Sequence, residues 1–543
     1  MHNNIFLQGK LKQWKCYNFN KCQIWLAGYK SEEQLDKILE YINKYKILNA
    51  SIIKKIIRLL GEHFGVVIFS NYWTLAVVDY TRGYPIFWRK KNNKLFISPQ
   101  ASLLKGKRID QEQLIAFRMS GYTIGEGTLW KEVNSLLAGG YLYSNNKNII
   151  FTERYFTYIP RQVKNLGYKK LQQRLVVEIN KLIKKLILDA KGKTIIVPLS
   201  AGLDSRLIVS GLKKEKYENV KCFSYGIKNN FEATASKKIA NVLGYDWTFV
   251  EISHIGIKKF YNSKTYKKYL TYTVDGAAVS TIQGLYAISY LKKNGYICKN
   301  SLIINGNSGD FISGGHIPKD ILGLFLRKFN SSKILNKIFN IHIEKHYSLW
   351  NTLKTFENKK IIKDKLKVQL ETSNKNKQKI SLFGVLELLE YENRQTKYVV
   401  NSQRIYDFFE INWTLPLWNK SFIKYWEKVP LKYKIDQRLY KDTLKKLNYA
   451  DVWTKKFTFK SYISPKEMIF IRFLFKIIFF FIGKKNWYEF EKKYINYWTE
   501  NIRGFSSQSY LNFIKNKNIA RNYVSLYALI AEKNNLGTNW QKK

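Results

Sequence analysis

The stretch Thr194-Ile195-Ile196-Val197-Pro198-Leu199 passes directly into Ser200-Ala201-Gly202-Leu203-Asp204-Ser205 and then into a helical pattern. An apolar, β-rich run feeding a turn of small residues and a helix is the opening of a strand–loop–helix unit. The rhythm continues with a strand over 220–225, a helix from Ala233 and a strand over 247–252, and it returns with a strand over 302–305 ahead of a second glycine-rich turn. Such alternation predicts a parallel sheet with helices packed on it. Upstream the pattern differs: short strands over 23–26, 66–69, 74–78, 86–88 and 94–97 predict a β-rich first domain. Asn145-Asn146-Lys147-Asn148 and then Tyr158-Ile159-Pro160-Arg161 are read as its exit and linker, followed by a helix over 168–191. The expected division is therefore residues 1–158 and 162–543, in keeping with a 543-residue chain too long for one ordinary core. Beyond 322 the pattern is mostly helical.

The loop at Ser200–Ser205 has the makings of an anion cradle. Small residues let backbone N–H groups approach a phosphate, the two hydroxyls add donors, and the following helix N-terminus contributes positive potential. An aspartate inside a phosphate site makes chemical sense chiefly when it holds magnesium. Taken alone, the same pattern also describes an ordinary turn capped by Asp204. The second turn, Gly306-Asn307-Ser308-Gly309-Asp310-Phe311-Ile312-Ser313-Gly314-Gly315-His316, again follows an apolar strand and again carries one aspartate. Parallel strands of one sheet would bring both loops to the edge where open α/β sheets bind ligands, so Asp204 and Asp310 are expected to share a divalent cation.

In these two loops the sequence resembles the asparagine synthetases and their amide-forming relatives. The family's pyrophosphate loop S-G-G-x-D-S is matched from Ser200 to Ser205, with Ala201 in place of a glycine. Its second loop G-x-G-x-D-E-x-x-G-G-Y is matched at Gly306, Asp310, Gly314 and Gly315. Cys222-Phe223-Ser224-Tyr225-Gly226 is similar to the adenine-side strand, and Pro416-Leu417-Trp418-Asn419 and Tyr440-Lys441 follow the C-terminal order of the family. The resemblance implies an α/β chain: an N-terminal Ntn-hydrolase-like αββα glutaminase domain, then a parallel-sheet ATP-pyrophosphatase domain with a helical C-terminal region. It implies ATP and Mg2+, with Asp204 and Asp310 as metal ligands and Lys441 stabilising charge near the α-phosphate. Leu199, Ser200, Ala201, Gly202, Leu203, Asp204, Ser205, Ser224, Gly226 and Gly306 would line the nucleotide. The implied reaction adenylates a carboxylate, releases pyrophosphate and passes the acyl group to ammonia or an amine.

The departures carry information too. A working glutaminase of this family needs a cysteine directly after the initiator methionine, where His2 stands here, so the first domain is expected to be degenerate and the nitrogen to come as free ammonia, from a separate glutaminase, or as an amine on the acceptor. Asn307 and Phe311 occupy positions that are acidic in asparagine synthetases, which argues against aspartate as substrate. Trp413-Thr414-Leu415-Pro416-Leu417-Trp418-Asn419 most resembles the surface-polysaccharide branch, which implies a uronic acid. A pseudoenzyme that keeps the fold as a scaffold, and an intramolecular lactam or peptide cyclase, are the alternatives left open.

A formal charge of +53 invites a nucleic-acid partner. Its lysines are spread from end to end without a zinc finger, basic zipper or aromatic RNA-binding signature, so no nucleic acid is expected. Cys16, Cys22, Cys222 and Cys298 lack metal-ligand spacing, no secretory leader is read at the start, and a cytoplasmic location is expected. Residues 468–482 form an apolar run broken by Arg472 and Lys476. It is short for a bilayer span and reads either as a helix on the inner face of a membrane or as one buried against the C-terminal helices.

Overall fold

The computed structural model describes residues 4–9, 11–28, 31–145, 150–161, 167–319, 321, 323, 331–373, 380–454, 467–515 and 522–542. His2 and residues 146–149 and 162–166, which bear on the expected nucleophile position and linkers, lie outside them.

Two sheets make up the first half. Strands β2 (Lys15–Phe19), β3 (Cys22–Ala27), β4 (Gly65–Ser70), β5 (Trp73–Val78), β9 (Gly140–Asn145) and β10 (Ile150–Arg154) form a six-stranded sheet in the order β10-β9-β5-β4-β3-β2, every pair antiparallel. β1 (Ile5–Phe6), β6 (Phe87–Lys91), β7 (Lys94–Ser98) and β8 (Asn134–Ser135) form a second sheet of four. Period-two alternation explains why β4 is apolar throughout: Val66 and Ile68 face helices α1 (Leu35–Lys44) and α2 (Ala50–Leu59), while Val67 and Phe69 join the inner core shared with Phe87, Leu95 and Ile97 of the second sheet. Helix α3 (Gln111–Ser120) starts where the Asp110 side chain accepts from the Gln113 amide. It splits its burial between that inner core, through Leu114 and Phe117, and a C-terminal cluster, through Ala116 and Met119.

The expected exit at 145–148 needs correction. β10 pairs antiparallel with β9, Ile150 opposite Ser144, so the chain is still part of the first sheet through Arg154. Asn-rich segments suit connections within a sheet as well as linkers.

Helix α4 (Tyr168–Ala190) opens the second half, burying Leu171, Leu175, Ile179, Leu182, Ile183 and Leu186 at helical spacing. Strands β11 (Thr194–Pro198), β12 (Val220–Gly226), β13 (Asp246–Glu251), β14 (Ser301–Ile304) and β15 (Asn412–Thr414) form an all-parallel sheet ordered β13-β12-β11-β14-β15. Helices α5 (Leu203–Lys214) and α6 (Phe231–Leu243) connect β11 to β12 and β12 to β13. Ile195, Ile196 and Val197 are fully buried, as a strand covered on both faces requires. Farther on lie α7 (Arg438–Leu447), α8 (Glu467–Ile482) and α9 (Lys484–Phe490).

One core cluster runs through both halves. Backbone bonds stitch them together as well: Ala101 N to Asp275 O at 2.9 Å, Thr123 N to Ala277 O at 2.8 Å and Val279 N to Gly121 O at 2.8 Å. Buried polar contacts add to this: Lys434 donates to both Glu387 oxygens at 2.8 and 2.9 Å within the second half, and Lys397, whose charged form burial disfavours, reaches across to the Thr123 and Gly125 carbonyls.

Candidate active site

β11 and β14 are parallel neighbours, so the loops that leave their C-terminal ends emerge side by side. The first, at Ser200–Ser205, is set by its own hydroxyls. Ser205 Oγ accepts from the Ser200 amide at 3.1 Å, and Ser200 Oγ accepts from the Gly202 amide at 3.1 Å. Arg206 donates to the Ala201 carbonyl at 2.8 Å and stacks on Trp453, which holds the loop from behind. Asp204 thus stands in the first turn of α5.

The second loop closes onto it. The Asp310 amide donates to Asp204 Oδ2 at 2.9 Å. Glycines permit this approach: a Cβ on Gly306 would lie 2.9 Å from the Ser205 nitrogen, and one on Gly309 would lie 2.5 Å from Asp204 Oδ1. Burial and then the neighbouring Asp310 push the Asp204 carboxyl up from its ordinary range. Burial would raise Asp310 as well, but the hydrogen bond and positive charge of His316 outweigh it and hold that carboxyl low. His316 is itself lifted to about 9, because its bonds to Asp310 and Glu390 overcome the cost of burying the imidazolium. It therefore stands protonated at neutral pH, donating from Nε2 to Asp310 Oδ2 at 3.0 Å and from Nδ1 to Glu390. Glu390 also takes His346 Nε2 at 3.0 Å and Gln395 Nε2 at 3.0 Å.

These groups border a cleft of about 670 Å³ lined by Leu199, Ser200, Gly202, Leu203, Asp204, Ser205, Ser224, Gly306, Asp310 and His316. Most residues expected from sequence thus converge. Ala201 and Gly226 do not line it: Ala201 is turned to Arg206, and Gly226 sits one step outward, where a Cβ would meet Asn501 at 2.7 Å. Ser224 is fixed by donating to the Leu199 carbonyl at 2.6 Å. Lys441 is exposed on α7 and does not line the cleft, whereas its neighbour Tyr440 is buried and donates to Asp204 Oδ1 at 3.2 Å. Helix phase makes the difference, since α7 buries Leu439, Tyr440, Thr443 and Leu444 on one face. That periodicity was the signal that could have selected Tyr440. Arg394, Gln395, Tyr398 and Asn501 also reach the cleft, drawn from distant segments without a motif. Phe311 turns away into the core against Tyr158 and Trp418, so its lack of charge follows from packing.

Two carboxylates presenting oxygen to one cleft suit a hard divalent cation, and a cation between them would offset both the burial cost and the repulsion that raise Asp204. Among the described residues no group of three or more His, Cys, Asp or Glu side chains is placed to cage a metal. Magnesium would therefore complete its shell with phosphate oxygens and water, as it commonly does.

A larger cavity, about 1350 Å³, lies elsewhere, between β9, β10 and the helix Phe356–Ser373. Its walls mix Glu112, Glu153 and Asp364 with Arg154, Lys360 and Lys424, and it lacks the paired carboxylates.

Among solved structures, the chain is similar to an NH3-dependent NAD synthetase from Campylobacter jejuni at 15% identity, covering 38% of this chain and 96% of that one, with a TM-score of 0.21. It is also similar to a glutamine phosphoribosylpyrophosphate amidotransferase from B. subtilis at 11% identity, covering 55% and 60%, with a TM-score of 0.18. The chain spans less than two thirds of that amidotransferase. These likenesses are too distant to bear on fold or chemistry, which rest on the strand order and the loops. No curated protein matches the sequence. Residues 193–450, which hold β11, both loops and Tyr440, match the family model described as asparagine synthase, which makes this part of the chain an asparagine-synthase domain of the ATP-dependent amidotransferase and ligase type.

Proposed function

We propose that the cleft joins a carboxylic acid to a nitrogen nucleophile in two steps, with ATP as the activating substrate. In the first, a carboxylate oxygen attacks the α-phosphorus, the α–β anhydride bond breaks, and pyrophosphate leaves with the bonding electrons. In the second, the amine nitrogen attacks the acyl carbon, AMP leaves, and the nitrogen gives up a proton to solvent. The observation that carries this reading is the convergence of Asp204 and Asp310 beside the hydroxyl-bearing loop at the start of α5.

In this reading the amide of Leu203 and the hydroxyls of Ser200 and Ser205 hold the pyrophosphate at the helix N-terminus. Leu199 and Ser224 border the adenine side. Magnesium held by Asp204 and Asp310 would neutralise the charge that develops on the leaving pyrophosphate. Tyr440 orients Asp204, and His316 with Glu390 orients Asp310. Lys441 acts at the α-phosphate by swinging its side chain in from the solvent face of α7.

Nitrogen enters as ammonia or as an amine, and not by hydrolysis of glutamine within this chain. Cys22 lies buried at the start of β3, next to the edge strand of the six-stranded sheet, with its thiol pushed up to about 11 by burial, and burial raises Cys16 too, so neither is activated as a thiolate. For the acid we favour a uronic acid on a sugar. The cleft offers neutral hydrogen-bonding groups suited to ring hydroxyls, among them Asn305, Asn307, Ser308, Ser402 and Tyr406.

Pyrophosphate release measured over a panel of uronic acids, amino acids and peptides, each with ammonia or glutamine, tests this directly. Release with a uronic acid and ammonia, and none with glutamine alone, is the expected result. Release from glutamine as sole nitrogen source contradicts the reading of the first half, and silence across the panel favours a scaffold.

A further inference from the structure

Helix α8 and helix α9 form a hairpin turned at Gly483. Its inner seam is aromatic: Phe475 and Phe479 pack on Phe490, and Phe479 also meets Trp487 edge-on. Arg472 and Lys476 both lie over Trp487 along this seam, and Arg472 is ion-paired with Glu491. Of the two charges that interrupt the apolar run, Arg472 is thus turned into the seam, while Lys476 lies along it with its side chain still exposed to solvent. Past Glu467 the rest of α8 is apolar, and most of it faces out. Ile469, Phe470, Phe473, Leu474, Ile477 and Ile478 are exposed, and at the tip Phe480 and Phe481 are 83% and 85% exposed. α8 buries none of its described residues, so the reading of 468–482 as a helix sunk among the C-terminal helices is corrected. A contiguous apolar face of this kind marks an interaction site.

We infer that the α8–α9 hairpin docks the protein onto an anionic lipid bilayer, its apolar face lying in the interface. Length sets the mode: 16 residues span about 24 Å at roughly 1.5 Å per residue, less than the ~30 Å hydrocarbon core. Among the described residues no helix is long and apolar enough to cross a membrane. Charge selects the surface. Lys484 and Lys485 are exposed beside Phe480 and Phe481, where the aromatic rings would enter and the ammonium groups would meet headgroups, and Tyr488 stands exposed one turn further. The chain as a whole carries +53, which draws it to negative lipid and opposes a second copy meeting the same face. The returning arm leads to Asn501 and Ile502 at the rim of the nucleotide cleft, so docking would place that cleft at the base of the anchoring hairpin.

Flotation of the full chain with phosphatidylcholine vesicles, with and without phosphatidylglycerol, tests this inference. Wild type is expected to float with the anionic vesicles and to be released by salt. Phe480→Glu with Phe481→Glu should reduce binding about tenfold or more per residue, with an unchanged melting curve because both rings are exposed. Lys484→Glu with Lys485→Glu should cost about fivefold per lysine. Amide protection on α8 in wild type with vesicles gives an independent reading that needs no variant. Wild type that stays down, or phenylalanine variants that float equally, overturn the inference. So does a concentration-dependent dimer in sedimentation that these variants abolish while vesicles remain unbound, because a second copy would then cover the face.

Discussion

Asp79 follows β5 in the first half much as Asp204 and Asp310 follow β11 and β14 in the second, yet the two settings use the carboxylate differently. Asp79 is completely buried, and its oxygens accept from the amides of Thr81 at 2.6 Å, Gly83 at 2.8 Å and Phe64 at 3.3 Å. Nothing of it is offered to a ligand. The turn it closes is gripped from the other half, where the Leu415 amide donates to His63 at 3.2 Å and Arg404 donates to the Gly83 carbonyl. Asp204 and Asp310 also accept hydrogen bonds but keep oxygens toward a cleft, and they stand close enough to disturb each other. An aspartate in a glycine-bearing turn after a strand is thus an ambiguous sign. What separates framework from chemistry is whether the protein itself saturates the carboxylate.

The sharpest way to break that comparison is Asp204→Asn, which should lower pyrophosphate release about a thousandfold while leaving the melting temperature close to wild type. A large loss of stability instead would make Asp204 framework like Asp79. Next in size is Lys434→Met, which strands Glu387 in the core behind the second loop. Urea unfolding should show a loss of roughly 3–5 kcal/mol, and adding Glu387→Gln should restore much of it. Asp79→Ala orphans three amide donors and should cost about 3 kcal/mol in the same assay, without altering the KM for ATP in whatever fraction stays folded. The smallest expected effect is Lys441→Ala, a fall of about tenfold in kcat, the scale of one charge-assisted contact, with ATP affinity and stability kept. An unchanged kcat would show that the side chain stays in solvent.

Much of the site was legible because its positions answer to local rules. A strand, a small-residue turn and a helix N-terminus are written in consecutive residues, so the loops at 200–205 and 306–316 could be read with their aspartates. Residues that depend on the phase or return path of distant segments could not. Tyr440 and Lys441 are adjacent in sequence, and only the buried face of α7 decides that the tyrosine points inward. His316 and Glu390 are far apart in the chain and meet because a helical segment, Glu390–Val399, passes behind the second loop. β15 went unread as a strand: Asn412–Thr414 is too short to show a period and is held by pairing with β14. The exit was read too early because Asn-rich segments look alike whether a chain leaves a sheet or pairs again within it, as β10 does with β9. The division at 158–162 is blurred energetically by a core continuous across both halves.

The central claim is that Asp204 and Asp310 hold one cation together with the triphosphate. Titration of Mn2+ in the presence of a non-hydrolysable ATP analogue, followed by electron paramagnetic resonance, addresses it most directly. The account predicts a nucleotide-dependent site in wild type that is lost in Asp204→Asn and in Asp310→Asn, with the double variant losing little more than either single one because both serve the same ion. Wild-type affinity in either single variant, or losses that simply add in the double, would contradict it.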